Sequence, residues 1–481
     1  MLRIVALAVV ALIAAVTVRT IQYVPAPLPP AAAADSIDLD DAAVLRHLGE
    51  AVRFRTISRE PPAPIDADQF DGFLAWLAAT YPRVFETLSV ERVGGYSLLL
   101  RWNGSDRTLP PVLLAAHYDV VPVIEGTEDR WQHPPFSGRV ADGYLWGRGA
   151  LDNKNAVVGL LEAVDWLLAR GEGPQRTVYF SFGHDEEVGG TQGAAAVVAR
   201  LVGQGVRLAW SLDEGAFVFR NMFPGVDVPI ATINTAEKGS VTLRIVASAE
   251  GGHSSMPPQQ TAVGRLAAAL VRLESNPLPG GLEGLAADTF DAVGPYMPTL
   301  PRLMFANRWL FAPLLERQLD DLPFANAMLR TTTAPTMLAA SPKVNVLPIE
   351  AVATVNFRVH PRDSVEDVVR YVTNLVAGEH VRVEAGEGNP ASPVADADGE
   401  GFRLVADAVR EEFGELVVAP GLLVAATDSR HYAQVAEDAY RFNPMVVTQE
   451  ELGGFHGTDE RIATTGMIQG VRTYVRLLRR L

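Results

Sequence analysis

Five short stretches of this chain carry side chains that bind divalent cations or move protons. "AAHYDVVP" holds His117 and Asp119. Alternate strand positions face one side, so Asp119 can accept the proton of one His117 ring nitrogen and leave the other for a metal. A purely structural hydrogen bond uses the same pair. In "GRGALDNK", Gly147 and Gly149 form a tight loop that delivers Asp152 just ahead of a helix. There it serves either as an N-cap or as a carboxylate bridging two cations, one oxygen on each. "GHDEEVGG" sets Glu186 beside Glu187, adjacent anions that are either solvated or facing positive charge. "AWSLDEGA" pairs Asp213 with Glu214, and "GGFHGTDER" contributes His456 from a Gly-flanked loop. Together these segments offer an N/O donor set suited to Zn²⁺ or a similar ion. Two cations would make such a crowd of acids favourable in one cleft.

Residues so far apart in sequence converge only if a fold brings them together. "PVLLAA" (Pro111 to Ala116), "TVYFSF" (Thr177 to Phe182) and "RLAWSL" (Arg207 to Leu212) read as buried strands, and Asn153 to Gly171 as a helix. Alternating strands and helices imply right-handed βαβ units and a parallel-rich sheet. In such sheets, sites form beyond the carboxyl ends of the strands, where four of the five segments fall. Around Glu237 the pattern changes. Val241 to Ala249 and Ala351 to Val359 alternate as half-solvated strands, while Thr261 to Glu274 and Ser364 to Gly378 read as helices, with Ser364 as N-cap. The expected fold is α/β: a mixed, mainly parallel sheet flanked by helices, with a smaller inserted α+β lid. The expected boundaries are a leader and linker at 1–35, a catalytic domain at 36–236 and 389–481, and the insert at 237–388. Within the insert, Pro295 to Leu319 is rich in aromatics and Met. It packs on its own domain, walls a greasy substrate, or lies near a membrane.

The charge and composition remove several function classes. A net charge of −16 repels a phosphate backbone, so no nucleic-acid partner is expected. With no cysteine, the chain has no disulfide, thiolate metal site or Cys nucleophile. Near the start, Arg3 precedes an apolar run from Ile4 to Val18 that Arg19 closes. It is long for a signal peptide's apolar region and short against the roughly 20 residues of a membrane span. Either reading exports the rest to the periplasm or cell exterior. Cleavage near Ala34 is one outcome and an uncleaved anchor the other, with the Pro/Ala-rich stretch from Val24 to Ala34 as linker.

"HYDVVP", "GRGALDNK", "GHDEEVGG" and "GGHSSMPP" in combination resemble the zinc metallopeptidase family of aminoacylase, carnosinase and carboxypeptidase S. Within it, the chain is most similar to carboxypeptidase S and the N-fatty-acyl-amino-acid synthase/hydrolase. The resemblance implies two zinc ions per chain. His117 and Asp213 would hold one, with Glu214 the alternative to Asp213. Glu187 and His456 would hold the other, and Asp152 would bridge them. Asp119 would orient His117, and Glu186 would be the general base. His253 would stabilise the oxyanion, supplied by the partner subunit in dimeric relatives, so a homodimer is an implied assembly. Asn345 and Arg358 would grip a substrate carboxylate, while Thr427 and Arg430 would line the site. Asn153 follows the bridging Asp152 where many relatives have another acid or Met, a departure that leaves ligation untouched.

The expected activity is cleavage of the amide bond of a short peptide or N-acyl amino acid with a free carboxylate, in the manner of a carboxypeptidase. Hydrolysis or synthesis of N-fatty-acyl amino acids is the alternative. An exported solute-binding protein is the reading of another class, and it needs no acid beside a metal ligand. An aminopeptidase is the nearest enzymatic rival, against which Arg358 argues for carboxylate recognition.

Overall fold

The computed structural model describes residues 2–28, 37–60, 63–221, 223, 225–378 and 380–481. The proposed cleavage site near Ala34 and much of the linker lie outside the described residues.

The strands expected from apolar runs form where the pattern put them, at Val112–His117, Val178–Gly183 and Leu208–Asp213. They pair parallel to one another in the middle of a large mixed sheet. From one edge, its order is Ser89–Val93, Ser97–Trp102, Val178–Gly183, Val112–His117, Leu208–Asp213, Ala436–Arg441, Ile230–Glu237, Val218–Arg220 and Val446–Thr448, with Val417–Leu423 also paired to Ile230–Glu237. Parallel strands are buried on both faces, and here alternate residues serve two cores. Val112, Leu114 and Ala116 pack with helices Asp41–Arg53, Lys154–Leu168 and Thr464–Leu478, while Leu113 and Ala115 pack with helix Ala194–Gly203.

The segment after Glu237 builds a separate four-stranded antiparallel sheet in the order Thr332–Ala339, Glu350–Val359, Gly239–Ser248 and Val381–Asn389. Helices Ala262–Ser275 and Val365–Leu375 cover one face through Leu266, Leu273, Val368 and Val372. Both helices start as their sequences dictate. Thr261 accepts from the Gly264 N–H, and Ser364 forms a reciprocal capping box with Asp367.

The aromatic- and Met-rich stretch folds as helices Thr299–Ala306 and Arg308–Asp320. It packs on the preceding helix, Gly284–Val293, through Phe290, Phe305 and Leu315. That helix in turn bonds to the large sheet, where Thr289 Oγ1 donates to the Pro420 carbonyl at 2.7 Å. The leader is helical over Leu2–Gln22, past Arg19, and 20 of its residues form a stretch long and apolar enough to cross a membrane.

Candidate metal centre

Strand ends of the large sheet and the loops after them deliver His117, Glu186, Glu187 and Glu214, while Asp152 follows Tyr144–Trp146 and His456 lies in the loop after helix Gln449–Leu452. His117 is the last residue of Val112–His117 and is buried. Its Nδ1 lies 3.1 Å from the Asp119 carbonyl oxygen and 3.3 Å from that residue's carboxylate. Nε2 is left facing Asp152 Oδ1 and Glu214 Oε1, both at 3.1 Å. The other oxygen of Asp152 lies 3.0 Å from His456 Nε2, which is also 3.2 Å from Glu187 Oε2. A single carboxylate thus spans two imidazoles, and each imidazole has a second acid beside it. His117, Glu186 and Glu214 form one compact donor group, and His117, Asp152 and Glu187 another.

Asp119 does more than face the His117 ring. Its two carboxylate oxygens accept the backbone N–H groups of Glu186 and Glu187, each at 3.2 Å. It thereby fixes the short 3₁₀ turn Glu186–Val188 that follows Val178–Gly183. Asp152 is held by a residue the sequence did not single out. Buried Glu460 accepts from the N–H groups of Gly149, Leu151 and Asp152 at 2.9, 2.8 and 3.1 Å, and its other oxygen takes Arg148 Nη1 at 2.6 Å. The "TDE" after His456 was the available signal, an acid four residues beyond a candidate ligand. Gly149 sits at φ +89°, and a Cβ there would meet Val120 at 2.8 Å, so the loop needs glycine on both counts.

The paired acids at the end of Leu208–Asp213 divide differently from the first expectation. Glu214 turns to His117, whereas Asp213 Oδ1 accepts the Glu214 N–H at 2.9 Å. Strand alternation is the physical reason. Adjacent residues at a strand end point to opposite sides, so only one of the two faces the imidazole. Thr427 is buried and bonds to Glu237 through its N–H and hydroxyl, and Arg430 Nη2 donates to the Gly189 carbonyl at 2.8 Å, beside the Glu186–Glu187 turn. The three residues expected from the insert are not gathered in. His253 is exposed and bonds to Ser255 Oγ at 2.8 Å. Asn345 and Arg358 are exposed as well. Among the described residues, no hydrogen bond or ion pair joins any of these three to the acidic cluster.

The electrostatics show what the cluster lacks in positive charge. Burial, together with neighbouring acids, pushes Glu214 up to about 8 and Glu187 to about 7, and raises Glu186 well above the usual carboxylate range. The Asp152 and Glu187 carboxylates draw His456 up to about 10. Protein charge alone would therefore leave protons shared among these groups, and divalent cations reverse that logic. Glu187 Oε1 is buried with no hydrogen-bond partner. The donor types, their spacing and this orphaned oxygen all fit metal ions.

A cluster of buried carboxylates with the buried His117 and half-exposed His456 imidazoles, at the carboxyl ends of parallel strands, defines a metal-dependent hydrolase. The chain belongs to peptidase family M20/M25/M40, whose family model matches residues 113–480. It is 39% identical over 447 residues to the probable carboxypeptidase S-like 2 of Dictyostelium discoideum, covering 92% of this chain and 85% of that protein. It is 40% identical over 410 residues to the N-fatty-acyl-amino acid synthase/hydrolase PM20D1 of Xenopus tropicalis, covering 84% and 80%. The M20 family metallo-carboxypeptidase Sso-CP2 of Sulfolobus solfataricus superposes with a TM-score of 0.65 at 18% identity, over 91% of this chain and 98% of that one. The protein is an enzyme of the metallopeptidase and amidohydrolase kind, and the solute-binding reading falls.

Proposed function

We propose that the enzyme uses two zinc ions to hydrolyse the amide bond of a small substrate carrying a free carboxylate, a short peptide or an N-acyl amino acid. The observation that carries this reading is Asp152, whose two oxygens face different imidazoles at 3.1 and 3.0 Å. His117 and Glu214 would hold one ion, His456 and Glu187 the other, with Asp152 between them. The 3.1 Å approach of Glu214 to His117 favours it over Asp213. The ions, when bound, would supply Lewis acidity to the carbonyl and to an attacking water. Glu186 would take the proton of that water as it adds to the carbonyl carbon, then pass it to the departing amine nitrogen. Asp119 would hold the His117 ring and the Glu186–Glu187 backbone in place.

The insert, taken as 237–388, would act as the lid. Its His253, Asn345 and Arg358 would reach substrate only by closure or from a second copy in a homodimer. Arg358 suits a carboxylate through its paired N–H donors.

The apolar lining of a small cavity beside the acidic cluster is the observation on the side of acyl substrates. It begins one residue past Glu214, at Gly215 and Ala216, and is walled by Phe219, Phe223, Met328 and Leu423. Purified enzyme loaded with Zn²⁺ should contain two ions per chain and cleave N-acyl amino acids with long acyl chains faster than dipeptides. One ion or none would end the two-metal reading. A clear dipeptide preference would end the acyl reading and leave the carboxypeptidase one.

A further inference from the structure

The leader helix and the aromatic-rich helices are one structural unit. None of the apolar window in Leu2–Gln22 is buried, and Ile4, Leu7, Val10 and Ile13 are open along its length. Its carboxyl end, by contrast, is built into the insert. Buried Asn307 donates through Nδ2 to the Val16 carbonyl at 3.3 Å and to Thr20 Oγ1 at 3.1 Å. Tyr23 packs among Phe290, Phe305 and Leu315, and its hydroxyl donates to the Phe290 carbonyl at 3.2 Å. Gly294 leaves the room for it, since a Cβ there would sit 2.3 Å from the Tyr23 hydroxyl. Tyr296 reaches back to the Ala26 carbonyl at 3.1 Å. The Arg19 guanidinium lies 6.0 Å from the centre of the Trp309 ring. Contacts of this kind hold a helix at a set position and join the apolar span directly to the folded domain.

The helices it docks on expose large apolar side chains of their own. Leu300, Trp309 and Leu314 are between 48% and 68% exposed, and Phe324 on the following helix, Pro323–Leu329, is 55% exposed. An exposed apolar patch marks an interaction surface. The chemistry of its occupant follows from what is attached to it. A 20-residue helix of mean hydropathy 2.5 matches the hydrocarbon core of a bilayer. Tryptophan and arginine beside its end are the residues that sit at headgroup level.

We propose that helices Thr299–Ala306 and Arg308–Asp320 form a membrane-docking platform, whose exposed apolar side chains enter the interfacial layer of the bilayer that holds Leu2–Gln22. The domain then lies against the lipid instead of swinging from a flexible tether. Phe324 joins this surface to the active-site side, because it also lines the apolar cavity. The inference requires that the leader is retained, and it is independent of the metal chemistry.

The lack of cysteine makes the test direct. Full-length Leu300→Cys, Leu314→Cys and Val271→Cys variants are each labelled with a nitroxide and reconstituted into phosphatidylcholine/phosphatidylglycerol vesicles. Val271 is an exposed apolar residue on helix Ala262–Ser275, away from the platform. Oxygen concentrates in the bilayer and a nickel chelate stays in water. The expected result is an oxygen-to-nickel accessibility ratio several-fold higher at 300 and 314 than at 271. Equal ratios at all three positions would overturn the proposal. So would loss of access to both reagents at 300 and 314 with spin–spin broadening, which would assign the face to a second copy. Recovery of the protein in the aqueous fraction with the leader removed would overturn it too.

Discussion

The acidic cluster and the insert residues proposed to bind substrate sit in the same chain but are held in opposite ways. Around Asp152, the supporting Glu460, Arg148 and Asp119 are all buried. Glu460 takes three backbone N–H groups and an arginine, and Asp119 takes two more N–H groups. His253, Asn345 and Arg358 instead stand exposed, the first two at the short strand pair Gly252–His253 and Val346–Leu347, the third on Glu350–Val359 of the four-stranded sheet. The difference separates two tasks. A cradle for like-charged acids must be rigid before any cation arrives, because relaxing the carboxylates apart would lower their repulsion and abolish the site. Groups that grip a substrate gain from being free to arrive with it, since closure excludes water and completes the constellation only when substrate is present.

Breaking the rigid side should have the largest effects. Glu186→Gln is expected to retain both metal ions while its turnover falls about 10²–10⁴-fold, read by steady-state kinetics beside elemental analysis. Normal turnover would show that the base lies elsewhere. Chelation should abolish activity and lower the melting temperature, with both recovering on addition of Zn²⁺, because ligand binding stabilises the folded state by mass action. Glu460→Gln leaves the Arg148 charge buried without its partner and should cost about 3–5 kcal/mol in urea unfolding. It should also weaken metal binding, as loss of a supporting partner does. A variant as stable as the parent would mean the Asp152 loop is held by other contacts.

The insert should respond in the opposite sense. Arg358→Ala is expected to change stability by no more than about 0.5 kcal/mol, yet to raise KM for substrates with a free carboxylate and spare the corresponding amides. An equal effect on both would remove Arg358 from carboxylate recognition. A last effect concerns pH. Burial, and then the Arg358 charge, hold Lys238 down to about 7. Between there and the ordinary lysine range, the unfolded chain binds the proton that the folded one has lost, so stability contributed by this group rises with pH. Lys238→Met should flatten that rise, measured as urea midpoints at about pH 7 and about pH 9.

Much of this was legible before any coordinates. Val112–His117, Val178–Gly183 and Leu208–Asp213 were readable because strands buried on both faces appear as unbroken apolar runs, and Val365–Leu375 because its cap and period agree. The segments that converge on the cluster were legible because acids and histidines beside glycines at strand ends stand out in the sequence. Glu214 against Asp213 was not legible, since the choice turns on how the last strand residue twists out of the sheet. Glu460 was invisible for another reason. Its partners are backbone N–H groups more than 300 positions away in the chain, and backbone groups leave no mark in sequence. The leader showed its hydropathy but not its attachment, because Tyr23, Gly294 and Asn307 have meaning only as neighbours.

By itself, the sequence determined the chemical vocabulary: which side chains are available to hold cations, which segments must be buried, and which charge the surface carries. Those follow from residue type and local period, and they survive without tertiary context. Only the folded chain decided which oxygen faces which imidazole, which acid serves as scaffold, and where the apolar leader is moored. These depend on distances of about 3 Å between groups far apart in the chain, and such distances are set by packing the whole domain at once.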